Sequence, residues 1–177
     1  ERGNSNCILG RLLWKLSEKM PVGLVYADGG LADNAIPRQT KAVVVVEEKD
    51  TESLTQQVAA LAAELADELA TKDPDVKVTA KRLADTAETI TCAAPEETKR
   101  VAAFLQATPN GVQAMSADMP GLVQTSLNLG ILKADAEVLR AEYSVRSSVE
   151  SEKDNLIAKL SALVELTGGD YVVTGDY

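Results

Sequence analysis

Three residues have the type and setting to bind a polar substrate. Arg146 closes the run Leu139-Arg140-Ala141-Glu142-Tyr143-Ser144-Val145-Arg146, in which apolar and polar residues alternate. A period of two is that of a strand covered on one face. It puts Leu139, Ala141, Tyr143 and Val145 on one side and Arg140, Glu142, Ser144 and Arg146 on the other. There Arg146 is either a solvated cation or partner of Glu142, or a planar fork that grips a carboxylate at two points. Asn34 sits in Asp33-Asn34-Ala35-Ile36-Pro37-Arg38, an extended loop before a strand. An Asn before a proline-containing turn often serves as a local Asx or capping residue. Its amide equally suits a peptide carbonyl or an oxyanion. Asn128 lies in Ser126-Leu127-Asn128-Leu129-Gly130, where a mid-strand Asn beside a glycine reads as a bulge.

Other chemistries are excluded by what the chain lacks. Among 177 residues there is no histidine, which removes the commonest general base and metal ligand and any Ser-His-Asp or Cys-His system built from this chain alone. Cys7 and Cys92 are far apart and read as reduced thiols of a cytoplasmic protein rather than a disulfide framework. Gly29-Gly30 is followed by no Lys-Ser or Lys-Thr, so it is no phosphate loop. No carboxylates show metal-ligand spacing. The net charge of −9 argues against nucleic acid and anionic lipid as partners. No apolar run approaches the ~18–20 residues of a membrane span. The start at Glu1 and the end at Tyr177, just after a strand-like run, read as a piece excised from a larger protein.

The elements that must position these residues follow from periodicity. Apolar residues make up 45% of the chain and aromatics 3%, so the core is aliphatic. Ile8, Leu9, Leu12, Leu13 and Leu16 have helical spacing from Gly3 to about Lys19, with Asn4 or Ser5 as cap. Strands are expected at 22–27 and 42–46, the latter apolar on both faces and so expected to be covered on both. Asp50 and Thr51 should cap a helix to about Thr71. Val76, Val78 and Ala80 alternate as a strand. Pro95-Glu96-Glu97 opens another helix. Thr108-Pro109-Asn110-Gly111 is a turn, and strands follow near 112–115, 123–132 and 137–147. Ser151 should cap a last helix ended by Gly168-Gly169, with a final strand at 171–173. Strands joined by short turns and helices with one apolar stripe each make an α+β fold. The expected architecture is a two-layer sandwich, a mostly antiparallel sheet with helices packed on one face. An exposed edge at Val43–Val46 would invite pairing with a second copy.

Four segments in order, Gly29–Arg38, Ala107–Val112, Thr125–Gly130 and Ser144–Ser148, resemble the bacterial aminoacyl-histidine dipeptidases, and Arg2-Gly3-Asn4 resembles their entry into the first lid helix. These are dinuclear zinc exopeptidases that carry a lid or dimerisation domain, and the resemblance runs almost end to end. It implies that 1–177 is one such domain of a cytosolic Xaa-His dipeptidase. It also implies that both zinc ions and their His, Asp and Glu ligands belong to a separate catalytic domain, and that the isolated piece is inactive. A family His that contacts substrate would fall just before Glu1. Asn34 matches a family Asn near the scissile carbonyl. Arg146 matches the arginine that holds the substrate's C-terminal carboxylate, and Asn128 carries over as a strand-register or site-lining residue. The partners implied are a second copy, whose active site the lid reaches over, the catalytic domain and the dipeptide. Beside this stand a free-standing α+β module that binds a small ligand or self-associates, and a purely structural dimerisation domain in which Arg146 is merely solvated.

Overall fold

The computed structural model describes residues 2–175. In chain order the elements are α1 (Ser5–Ser17), β1 (Gly23–Gly29), β2 (Thr40–Val45), a 3-10 turn (Glu48–Asp50), α2 (Thr51–Glu68), α3 (Pro95–Ala107), β3 (Gly111–Met115), β4 (Val123–Ala134), β5 (Leu139–Ser147) and α4 (Glu150–Thr167). All strand pairings are antiparallel and the helices lie on one side, so the molecule is the expected α+β sandwich.

The sheet is organised around β4, its longest strand. One edge of β4 pairs with β5 along nearly its whole length, from Thr125↔Ser147 to Ala134↔Leu139. The other edge is shared: β3 takes the first half, from Met115↔Val123 to Gly111↔Leu127, and β1 the end, from Gly29↔Leu132 to Ala27↔Ala134. β2 extends β1 and closes that side of the sheet.

Leu129 and Leu132 point inward from β4 and meet Phe104 and Leu105 of α3. Leu9, Tyr143, Leu163 and Val164 pack around them. A second cluster joins Leu16, Met20 and Val22 to Val44, Val46 and Leu54. α1 and α3 approach closely at Gly10, where a Cβ would stand 2.6 Å from that of Leu105. Outside, α1 and α2 are joined by ion pairs of Arg11 with Glu64 and Glu68 (2.7 Å each) and of Lys15 with Glu64 (2.5 Å).

Several local expectations are corrected. Residues 76–80 form no strand. They belong to a largely exposed irregular stretch between α2 and α3 and pair with no strand. The run 171–173 is likewise irregular and exposed. Asp50 occupies the start of α2 but makes no capping bond, because the preceding 3-10 turn already holds it at φ −96°, ψ −4° instead of the extended conformation a cap needs. α4 starts at Glu150 behind Val149, so Ser151 lies inside its first turn. β2 is an edge strand covered on one face only, which leaves Val45 40% exposed.

Candidate functional site on the open face of the sheet

The alternation read in β5 is what the register shows. Leu139, Ala141, Tyr143 and Val145 stand opposite Ala134, Leu132, Leu129 and Leu127 on the helix side. Arg140, Glu142, Ser144 and Arg146 stand opposite Lys133, Ile131, Ser126 and their neighbours on the open side, with Ser144 facing Asn128 and Arg146 facing Ser126. Arg146 and Asn128 therefore share one face on adjacent strands.

Lys41, opposite Asp28 on β2, makes no ion pair among the described residues, whereas the open-face charges of β1, β4 and β5 other than Arg146 are paired: Asp28 with Lys133 at 2.8 Å, and Arg140 with Glu142 at 2.9 Å. The latter takes away the carboxylate that would have been the local partner of Arg146. Arg146 is exposed and makes no ion pair or hydrogen bond among the described residues.

Asn34 is exposed at a turn in which the Ala35 N–H donates to the Ala32 carbonyl (3.4 Å). This turn crosses the open face over β4. Asn128 Nδ2 donates to the carbonyls of Asp33 and Ala35, both at 2.9 Å, one on either side of Asn34. Two glycines allow the crossing. A Cβ on Gly130 would lie 2.2 Å from the Asp33 oxygen, and one on Gly30, at φ +82°, would lie 1.7 Å from the Gly130 oxygen. The β4–β5 register shifts between Leu129 and Ile131, which is the bulge expected near Gly130. All three sequence candidates thus come to one stretch of one face.

Sequence reasoning missed the asparagines behind them. Between Leu127, the last β4 residue paired to β3, and Leu132, the first paired to β1, this edge of β4 has no strand partner. Side chains take the place of one. Asn110 Oδ1 accepts from the Leu129 N–H (2.8 Å), and the Leu129 carbonyl accepts from Asn4 Nδ2 (3.1 Å) and Asn6 Nδ2 (3.2 Å). Asn4 Nδ2, its two hydrogens shared among three acceptors, also reaches Asn128 Oδ1 (3.1 Å) and Asn110 Oδ1 (3.3 Å), while its own Oδ1 caps α1 through the N–H groups of Asn6 and Cys7. A local signal existed for each, since Asn4 reads as a cap and Asn110 as a turn residue. Neither signal points across the chain to β4.

The described residues include no group of three or more His, Cys, Asp or Glu placed to hold a metal ion. The site's own donors are amides, hydroxyls and a guanidinium, which do not fit a zinc centre. Burial pushes the Cys7 thiol up to about 12, so it is a core side chain and not a nucleophile. Burial likewise raises Tyr143, whose hydroxyl bonds Thr108 Oγ1 at 2.9 Å.

Against known proteins, the chain is 30% identical over 175 residues to the cytosol non-specific dipeptidase of Escherichia coli strain K12, covering 99% of this chain and 36% of that protein. The crystal structure of aminoacylhistidine dipeptidase from Vibrio alginolyticus matches the fold with a TM-score of 0.83 at 29% identity, over 94% of this chain and 33% of that one. The resemblance to the aminoacyl-histidine dipeptidases holds. The chain spans about a third of the length of these dipeptidases. No protein-family model matches it. No helix among the described residues is long and apolar enough to cross a membrane.

Proposed function

We propose that residues 1–177 are the lid and dimerisation domain of a cytosolic, zinc-dependent dipeptidase that hydrolyses Xaa-His-type dipeptides. The domain lends substrate-binding residues to the active site and holds no metal, so alone it is inactive. Arg146 holds the dipeptide's C-terminal carboxylate, Asn34 meets the scissile carbonyl, and Asn128 stands directly behind Asn34. The two zinc ions and their ligands belong to the catalytic domain outside this chain. The partners are that domain, the dipeptide and a second copy of the chain.

The observation that carries this reading is Arg146, an exposed guanidinium without a partner among the described residues, on the same sheet face as Asn128, the residue bonded to the Asn34 turn. A dipeptidase must recognise a free carboxylate, and a guanidinium does so with two parallel hydrogen bonds. In the intact enzyme, Arg146→Ala should lower kcat/KM for a free dipeptide by about 10- to 150-fold, the effect of losing a charge-assisted hydrogen bond of roughly 1.5–3 kcal/mol. Arg146→Lys should restore part of it, keeping the charge without the fork. An amidated dipeptide should be hydrolysed almost equally by wild type and mutant. Equal slowing of both substrates would show that Arg146 does not read the carboxylate.

A further inference from the structure

Building on the proposed role of Asn34 as a substrate contact, we propose that Asn128 is the positioning residue of Asn34, with Arg2 and Ser5 completing the hold on its turn. The whole amide of Asn128 is engaged. Its two N–H donors go to the carbonyls of Asp33 and Ala35, and its oxygen accepts from Asn4. A primary amide has two donors and no more, so Asn128 has none left for a ligand and acts through the turn.

The next two carbonyls are held as well. Arg2 Nη2 donates to that of Ile36 at 3.0 Å. The Ser5 hydroxyl and N–H donate to that of Pro37 at 3.0 and 3.3 Å. The backbone oxygens of residues 33, 35, 36 and 37 thus all face fixed donors. Those donors come from β4, from Arg2 just before the α1 cap and from Ser5 at the start of α1, and the cap Asn4 between them is bonded to β4. Asn34 itself is exposed on the outer side of the turn. A loop fastened in this way at successive carbonyls presents its free side chain without ordering the backbone when substrate arrives, which is the condition for efficient placement of a hydrogen-bond donor.

The test uses the intact protein carrying Asn34→Ala, Asn128→Ala, both together, or Asn128→Asp, with two readouts: dipeptide hydrolysis, and backbone 15N order parameters over residues 31–36 against 139–147. Asn128→Ala should lower the order parameters of 31–36 while leaving those of 139–147 at rigid-backbone values. It should also lower kcat/KM by about 10- to 100-fold, the scale of a small misplacement of a binding group. The double variant should be no slower than Asn34→Ala alone. Losses that multiply, or order parameters over 31–36 that stay unchanged, would overturn the positioning role. If Asn34→Ala leaves hydrolysis unchanged, the substrate role of Asn34 fails, and the order parameters still decide whether Asn128 holds the turn. Should Asn128→Ala fail to fold, Asn128→Asp keeps the acceptor for Asn4 and loses both donors. The order parameters over 31–36 should then fall, and unchanged values would refute the proposal.

Discussion

Asn4 shows how much one side chain does in this molecule. Its oxygen caps α1 and its amide nitrogen bridges to Asn110, Asn128 and the buried carbonyl of Leu129. Replacing it with alanine removes a cap worth about 1 kcal/mol and weakens the bonding of a buried acceptor at a further ~1–3 kcal/mol. Asn4→Ala should therefore lower the unfolding free energy by about 2–4 kcal/mol in urea titrations. Asn4→Ser, which restores the cap alone, should recover roughly 1 kcal/mol. Glu152 supplies a pH signature. Hydrogen bonds from the Thr125 hydroxyl and from Gln124 (3.0 Å) hold its carboxyl below the ordinary range. A carboxyl whose folded pKa is depressed contributes stability that is fully present above its unfolded value of about 4.3 and is lost as pH falls through the lowered folded value. Glu152→Gln should flatten the fall in melting temperature with acidification in that window and leave the slope near pH 7 unchanged.

Among the elements, the join between the 31–37 turn and β4 tolerates least. At Gly130 a methyl group would meet the Asp33 backbone at 2.2 Å, and backbone cannot move aside as a flexible side chain can. Gly130→Ala should displace the turn, seen as amide shifts confined to residues 30–37 and 127–132 in NMR spectra, with β2 and α4 unaffected. In the core, Leu129 is fully buried among Phe104, Leu105 and Leu132, so Leu129→Ala should cost about 2–5 kcal/mol in thermal or chemical unfolding. The helices and paired strands were legible in the chain because their apolar residues recur with the period of the element. The runs at 76–80 and 171–173 show the limit of that signal. Alternation makes a segment compatible with a sheet, but a strand exists only where an edge accepts its hydrogen bonds. Asp50 and Ser151 fail as caps for a related reason, since a capping side chain acts only from an extended backbone and each lies in a turn or helix already begun.

At the scale of the whole molecule, the sheet has an open face and, among the described residues, unpaired edges at β2, β3 and β5. The β2 edge carries half-buried Val43 and Val44 and exposed Val45, and such an edge is a template for another strand. With the dimeric role proposed for the domain, sedimentation equilibrium should show dimers at high micromolar concentration. Val45→Lys should shift them toward monomer, since edge lysines oppose pairing. Monomer alone for the parent sequence at that concentration would count against a self-pairing edge. Equilibrium dialysis should find no stoichiometric zinc on this chain, which has no histidine to combine with its carboxylates and two separated thiols.

The sequence by itself determined the α+β class, the inward and outward faces of β5, the aliphatic core and the absence of histidine chemistry. All of these rest on residue type and on periods that the backbone imposes locally. The ordered segments around Asn34, Asn110, Asn128 and Arg146 were enough for the family resemblance. Only the tertiary structure decided how those segments meet. Asn4, Asn110 and Asn128 converge because β1 and β3 leave a gap on one edge of β4, and the unpaired peptide groups there must be satisfied by whatever donors and acceptors the rest of the chain brings. That requirement is non-local, so no period or turn signal records it. It is nevertheless what anchors Asn128, and through it the Asn34 turn, on the open face that also carries Arg146.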